Sequence, residues 1–183
     1  FDYVDPWTQE RRVEAGHPTD DAELTAAFAF SLSDFGMFDK DDVYESLRNF
    51  IHVRRSILTD GEAYGSGGTL RSALRAETYQ LSKEHFRTGC VRVVPSNGAL
   101  MRNAPCALLN FPNMADAVET AREQSCITHI HPESQVACMV YTMLHMRLLH
   151  GDAPMEAWEK TIIGINTLIH AEGQKPDSVL RAA

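Results

Sequence analysis

The sequence predicts an all-α fold, a compact multi-helix globule, on three observations. Apolar residues recur three and four positions apart over most of the chain. Oxygen-bearing or acidic residues open these stretches, and glycines close them. A segment rich in β-branched residues, Cys90 to Gly98 with Val91, Val93 and Val94, is short and runs into Pro95, so it reads as a loop.

Phe1 to Pro18, with Pro6 and Pro18, reads as a loop or incoming linker. Thr19 followed by Asp20 and Asp21 opens the first helix, expected over 20–34: an oxygen acceptor serves the free amides, and negative charge suits the first turn. Leu24, Ala27, Phe28 and Leu32 keep helical spacing, and Gly36 stops it. The second helix, expected over 41–58, starts at Asp41 and Asp42 and carries Val43, Leu47, Phe50, Ile51 and Ile57. A loop with Gly61, Gly65, Gly67 and Gly68 follows, and Thr69 caps a helix with Leu70, Ala73 and Leu74. Leu100 to Leu109 is broken by Pro105, and Met114 to Cys126 is an amphipathic helix. A helix over 133–150 carries Val136, Val140, Met143, Leu144 and Leu148 and stops at Gly151. Pro154 suits the start of the last helix, expected over 154–171.

The 183 residues form a single domain, 44% hydrophobic and 23% charged. A chain near this length buries roughly 70% of its unfolded surface, enough for a core without cross-links. That composition excludes a disordered or collagen-like chain. No apolar run approaches the roughly 18 residues of a membrane span, so no membrane partner is expected. Seventeen basic against 25 acidic residues give a net charge of −8 with no basic stripe, which argues against nucleic acid. Cys90, Cys106, Cys126 and Cys138 include no CxxC pair, so reduced thiols and a cytoplasmic location are expected.

Three clusters, with a glycine loop beside the second, carry chemistry, and the clusters each have a plainer alternative. Thr19-Asp20-Asp21 is a helix cap, or a set of hard oxygen ligands for Mg²⁺ or Mn²⁺. Two or three such residues do not complete one octahedral shell. Ser96-Asn97-Gly98 is a common turn, or, opening straight into a helix with Arg102 in its first turns, an anion or polyhydroxyl site. Tyr64-Gly65-Ser66-Gly67-Gly68-Thr69 follows the same logic, and without a preceding strand it is no dinucleotide or P-loop fingerprint. Thr128-His129-Ile130-His131-Pro132 offers two histidines, as core or surface residues or as metal ligands.

In order and approximate spacing these clusters resemble the ADP-ribosylglycohydrolase family. The family's TDDT motif is Thr19-Asp20-Asp21-Ala22 here. Its middle motif resembles Ser96 to Arg102 followed by Ala104-Pro105, and its histidine motif resembles Thr128 to Pro132. The glycine loop running into Leu70-Arg71 also fits, and the resemblance spans about His17 to Leu149.

The resemblance implies an all-α globule around a dinuclear Mg²⁺ or Mn²⁺ site. Thr19, Asp20 and Asp21 would be metal ligands, with Asp20 and Asp21 the catalytic carboxylates. Tyr64, Gly65, Gly67, Gly68, Ser96, Asn97 and Gly98 would line an ADP-ribose cleft, and His129, rather than His131, would lie near the ribose and phosphates. The expected activity is hydrolytic removal of ADP-ribose from a modified acceptor, typically arginine, on an ADP-ribosylated protein. The alternative is a non-catalytic ADP-ribose-binding or structural member of the same fold. The family's GDALG-like start and DxDT-like end have no counterpart before His17 or at Asp177-Ser178, so the chain is expected to be the central part of such a domain.

Overall fold

The computed structural model describes residues 3–4, 11–13 and 16–171. Its helices are α1 Asp20–Phe35, α2 Lys40–Val53, α3 Gly68–Ala73, α4 Tyr79–Arg87, α5 Ala104–Asn110, α6 Met114–Cys126, α7 Pro132–Leu149 and α8 Pro154–Ala171. The fold is helical, as the apolar periodicity requires. Within the stretch read as a loop, β1 Tyr3–Val4 and β2 Arg11–Val13 pair antiparallel, with Tyr3 opposite Val13 and Val4 opposite Arg11. Runs of two and three residues are too short to show a strand period. The remainder of that stretch before Gly16, and Asp177-Ser178, lie outside the described residues.

Helix α1 ends where Gly36 takes φ +67° and its N–H closes on the Leu32 carbonyl. The main core joins α1 (Leu24, Phe28, Leu32) to α2 (Val43, Tyr44, Leu47, Phe50). Leu70, Leu74, Ala121, Ile127 and Cys138 extend it toward α6 and α7. A second cluster, Val118, Met139, Met143 and Ile165, locks α8 onto α6 and α7. There α8 comes so close that a methyl on Gly164 would stand 2.5 Å from the Met143 Cε.

Several boundaries depart from the periodicity, each through a hydrogen bond that local sequence does not show. The second helix stops at Val53 rather than near 58, with Arg54 left-handed at φ 54° and its N–H on the Phe50 carbonyl. Beyond it, the buried Glu23 carboxylate of α1 accepts from the Ile57 N–H at 2.7 Å and from the Ser56 hydroxyl. An ionisable acceptor inside the core draws these donors out of helical pairing, and Ile57 and Leu58 end up exposed. Gly67, not Thr69, caps α3, because Arg71 holds the Ser66 carbonyl and hydroxyl at 2.8 and 3.0 Å and turns the chain earlier. Helix α4 has no counterpart in the sequence expectation; its cap is Thr78, which accepts from the Leu81 N–H. The stretch from Gly98 to Arg102 is a series of turns, and α5 starts only at Ala104, with Pro105 in its first turn where a missing N–H costs nothing.

A buried polar network crosses the core. Asn103 donates from Nδ2 to the Cys138 carbonyl (2.9 Å) and to the Thr142 hydroxyl (2.6 Å), and its Oδ1 accepts from Gln124 Nε2 (2.8 Å). Replacing Asn103 by Ala strands groups that no water reaches, so chemical denaturation should show a loss of about 2–3 kcal/mol. An unchanged midpoint would mean that the network does not hold the helices together.

Candidate functional site

The start of α1 supplies the first half of the site. Thr19 has the extended backbone of an N-cap, yet its hydroxyl makes no capping hydrogen bond and lies 3.5 Å from Asp21 Oδ2. Asp21 is exposed, and Asp20 is partly buried. The Asp20 carboxylate packs onto the glycine loop: a methyl on Gly65 would stand 2.3 Å from Asp20 Oδ1, and Gly65 has φ +85°. Contact and backbone alike restrict that position to glycine. Burial, and then repulsion from Asp21, raises the Asp20 carboxyl above its ordinary value.

The glycine loop is held from both ends. Tyr64 meets the His17 ring edge to face at 5.0 Å, and Arg71 pins Ser66. Gly65 and Ser66 face a cavity of about 370 Å³ that Arg54 and Arg71 also line. Gly67 and Gly68 are exposed. A second cavity of about 360 Å³, beside Tyr79 and Phe86, is lined by Ile130 of the histidine motif and by Cys126, and by no residue expected to bind substrate or metal.

The other half is built on the turns before α5. Ser96 is tied to the start of α7: its N–H donates to Ser134 Oγ (3.3 Å), and its carbonyl accepts from that hydroxyl (2.9 Å). Asn97 is exposed, and its carbonyl closes the turn onto the Met101 N–H at 3.0 Å. Gly98 faces His129 so closely that a methyl would stand 2.7 Å from both Cε1 and Nε2 of the ring. His129 is 2% exposed, and burial first, then the Arg102 charge, pushes its pKa down to about 3. It is therefore a neutral imidazole at physiological pH. His131 has a structural task, accepting from the Glu133 N–H as the cap of α7.

Sequence motifs far apart thus meet in two pairs, Asp20 on Gly65 and His129 on Gly98. The pairs belong to neighbouring elements, because the Thr25 hydroxyl of α1 reaches the Met101 carbonyl at 3.2 Å. One contributor, Glu23, is not singled out by sequence, and another, Arg102, has a different role from the one its motif suggests. Glu23 anchors the 56–57 loop, and Arg102 lies wholly buried behind Gly98 rather than facing a ligand. A buried acid three residues beyond Asp20, on the core side of α1, was the available signal for Glu23.

Thr19, Asp20 and Asp21 offer the hard oxygen donors that Mg²⁺ or Mn²⁺ prefer. They fit such an ion in kind and not in number: among the described residues no group of three or more His, Cys, Asp or Glu side chains is placed to hold a metal. All four cysteines are free, and among the described residues no helix is long and apolar enough to cross a membrane.

The family model described as ADP-ribosylglycohydrolase matches residues 1–183, and the chain belongs to that family. It is 28% identical over 160 residues to the ADP-ribosyl-[dinitrogen reductase] glycohydrolase of Rhodospirillum rubrum, covering 87% of this chain and 49% of the relative. It is 25% identical over 153 residues to the ADP-ribosylarginine hydrolase Tri1 of Serratia proteamaculans (strain 568), covering 83% of this chain and 41% of the relative. The chain spans about half the length of these curated relatives.

Two outcomes follow from this geometry. Gly98→Ala should cost about 1–3 kcal/mol by chemical denaturation, because a rigid ring has to move, and should shift the His129 ring resonances. An unperturbed ring would show that Gly98 has room to spare. His129, neutral in the folded state and protonated near 6.5 when unfolded, contributes stability that is full above that value. This contribution is lost as pH falls toward about 3, because the unfolded state then binds the extra proton. His129→Asn should therefore flatten the fall in unfolding free energy across that window by up to about 1.4 kcal/mol per pH unit. A slope equal to the parent's would place the proton elsewhere.

Proposed function

We propose that this member of the ADP-ribosylglycohydrolase family hydrolyses the bond between ADP-ribose and an acceptor side chain, arginine first among candidates, on an ADP-ribosylated protein. The observation that carries the reading is the pairwise meeting of the motifs, Asp20 against Gly65 and His129 against Gly98. The names of the two relatives, both hydrolases of ADP-ribosyl groups, support the substrate class. The free thiols support a cytoplasmic location.

ADP-ribose would lie between the Tyr64–Gly68 loop and the Ser96–Gly98 turn, with His129 at the Gly98 side. Loss of the acceptor guanidinium develops positive charge at the anomeric carbon, which the carboxylates of Asp20 and Asp21 offset. Asp20, packed against the Gly65 loop, would be the group to take a proton from an attacking water. Glycines at 65 and 98 let backbone and carboxylate approach the sugar without a side chain between them.

We assign Thr19, Asp20 and Asp21 as oxygen ligands within a Mg²⁺ or Mn²⁺ site. A pair of such ions would supply grip on the ribose diol and a more acidic water.

The protein should release free ADP-ribose from ADP-ribosyl-arginine in a Mg²⁺- or Mn²⁺-dependent assay. Asp20→Asn should lower that rate by about 10²-fold or more and weaken Mn²⁺ binding in calorimetry. ADP-ribose binding with no release would make the protein a non-catalytic member. Full activity in Asp20→Asn would remove Thr19-Asp20-Asp21 from the chemistry.

A further inference from the structure

We propose that Arg102 and Thr128 are positioning residues that hold the His129 imidazole in one tautomer, with its proton on Nε2, so that the ring presents a hydrogen-bond donor beside Gly98. The use made of that donor rests on the hydrolase reading above; the tautomer does not.

The argument is a proton count along three buried side chains. A guanidinium carries only donors. Arg102 Nη2 donates to Thr128 Oγ1 at 2.8 Å, so this oxygen is an acceptor toward arginine. Thr128 Oγ1 also lies 2.7 Å from His129 Nδ1. Thr128 is 0% exposed, and among the described residues its hydroxyl has no other acceptor. If Nδ1 carried the proton, the threonine O–H would be buried without a partner, which costs about 1–3 kcal/mol. The hydroxyl proton therefore points at Nδ1, and a neutral ring that accepts at Nδ1 carries its hydrogen on Nε2.

The other face of the ring agrees with this count. Among the described residues no group accepts from Nε2, and this atom is not among the fully buried unpartnered ones. It lies against the open side of Gly98, which has no side chain to cover it. The same guanidinium fixes that glycine too, for Arg102 Nη1 donates to the Gly98 carbonyl at 2.9 Å. Arg102 is itself held by Gln124, through Nε to the side-chain oxygen and Nη2 to the main-chain carbonyl, both at 3.1 Å. One buried cation thus sets the ring's protonation pattern and the glycine it faces. The ligand chemistry implied is an acceptor oxygen, such as a sugar hydroxyl or a phosphate oxygen. An ammonium or an amide N–H would meet a like donor there.

The test reads the ring directly. In the ¹⁵N-labelled protein, long-range ¹H–¹⁵N correlation should show His129 as the Nε2–H form, and Thr128→Ser should keep it so. Thr128→Val, which removes the hydroxyl and keeps the shape, should move the ring toward the Nδ1–H form or a mixture. It should also weaken binding of ADP-ribose by about tenfold, with Thr128→Ser within about twofold of the parent. An Nδ1–H ring in the parent, or a Thr128→Val ring identical to the parent's, overturns the proposal. Should Thr128→Val fail to fold, the parent and Thr128→Ser spectra still decide it. Failure of the protein to release ADP-ribose, with the Nε2–H ring found, would count against the hydrolase reading alone.

Discussion

The buried guanidinium of Arg102 is the constraint on which the second half of the site depends. A cation with no exposed surface is costly unless its donors are satisfied, and here four of the five N–H groups are met by the Gly98 carbonyl, Thr128 Oγ1 and both oxygens of Gln124. Burial lowers its pKa to about 10, which still leaves it charged at neutral pH. Gln124 then passes the ordering on, donating to the Ala99 carbonyl and Asn103 Oδ1, while Asn103 grips α7. Turn, α6 and α7 are thereby held in one register, and the close approach of His129 to Gly98 is a result of that register.

The first half is organised by an acid. Glu23 sits on α1 one turn beyond Asp20 and faces the core, where it takes the Ser56 hydroxyl and the Ile57 amide. The loop that leaves α2 is thus tied to the helix whose first turn carries Thr19, Asp20 and Asp21. From that anchor the chain returns through Tyr64 to lay Gly65 over Asp20. Each half therefore joins a motif to a glycine through one buried ionisable side chain, and the Thr25–Met101 hydrogen bond links the two.

Most of the fold was legible because its helices are periodic and conventionally punctuated. Met114–Cys126 matches its expected span, and α7 and α8 begin and end within a residue of theirs. What escaped was decided by distant partners. Arg54 ends α2 early because Glu23, some 30 positions away, takes the next donors, and no window of sequence contains both. Helix α4 has only Tyr79 and Ser82 well buried, too thin an apolar face to stand out. At the site the residues were legible as motifs, and their pairing was not. Arg102 read as a charge at the mouth of a turn and is a strut behind it, since the turns from Gly98 fold its side chain inward before α5 begins.

Glycine recurs at the tightest contacts, but crowding of similar severity has two different meanings. At Gly164 the intruding atom is the terminal methyl of Met143, a chain with three rotatable bonds that can swing aside. At Gly98 it is an imidazole whose far nitrogen is already fastened to Thr128, so the ring moves only at the expense of that hydrogen bond. A methyl at 164 thus asks for a rotamer change in Met143, while a methyl at 98 works against the hydrogen bond that holds His129. A glycine next to a tethered ring shapes the cleft as surely as a reactive side chain does, although it has no reactive group of its own.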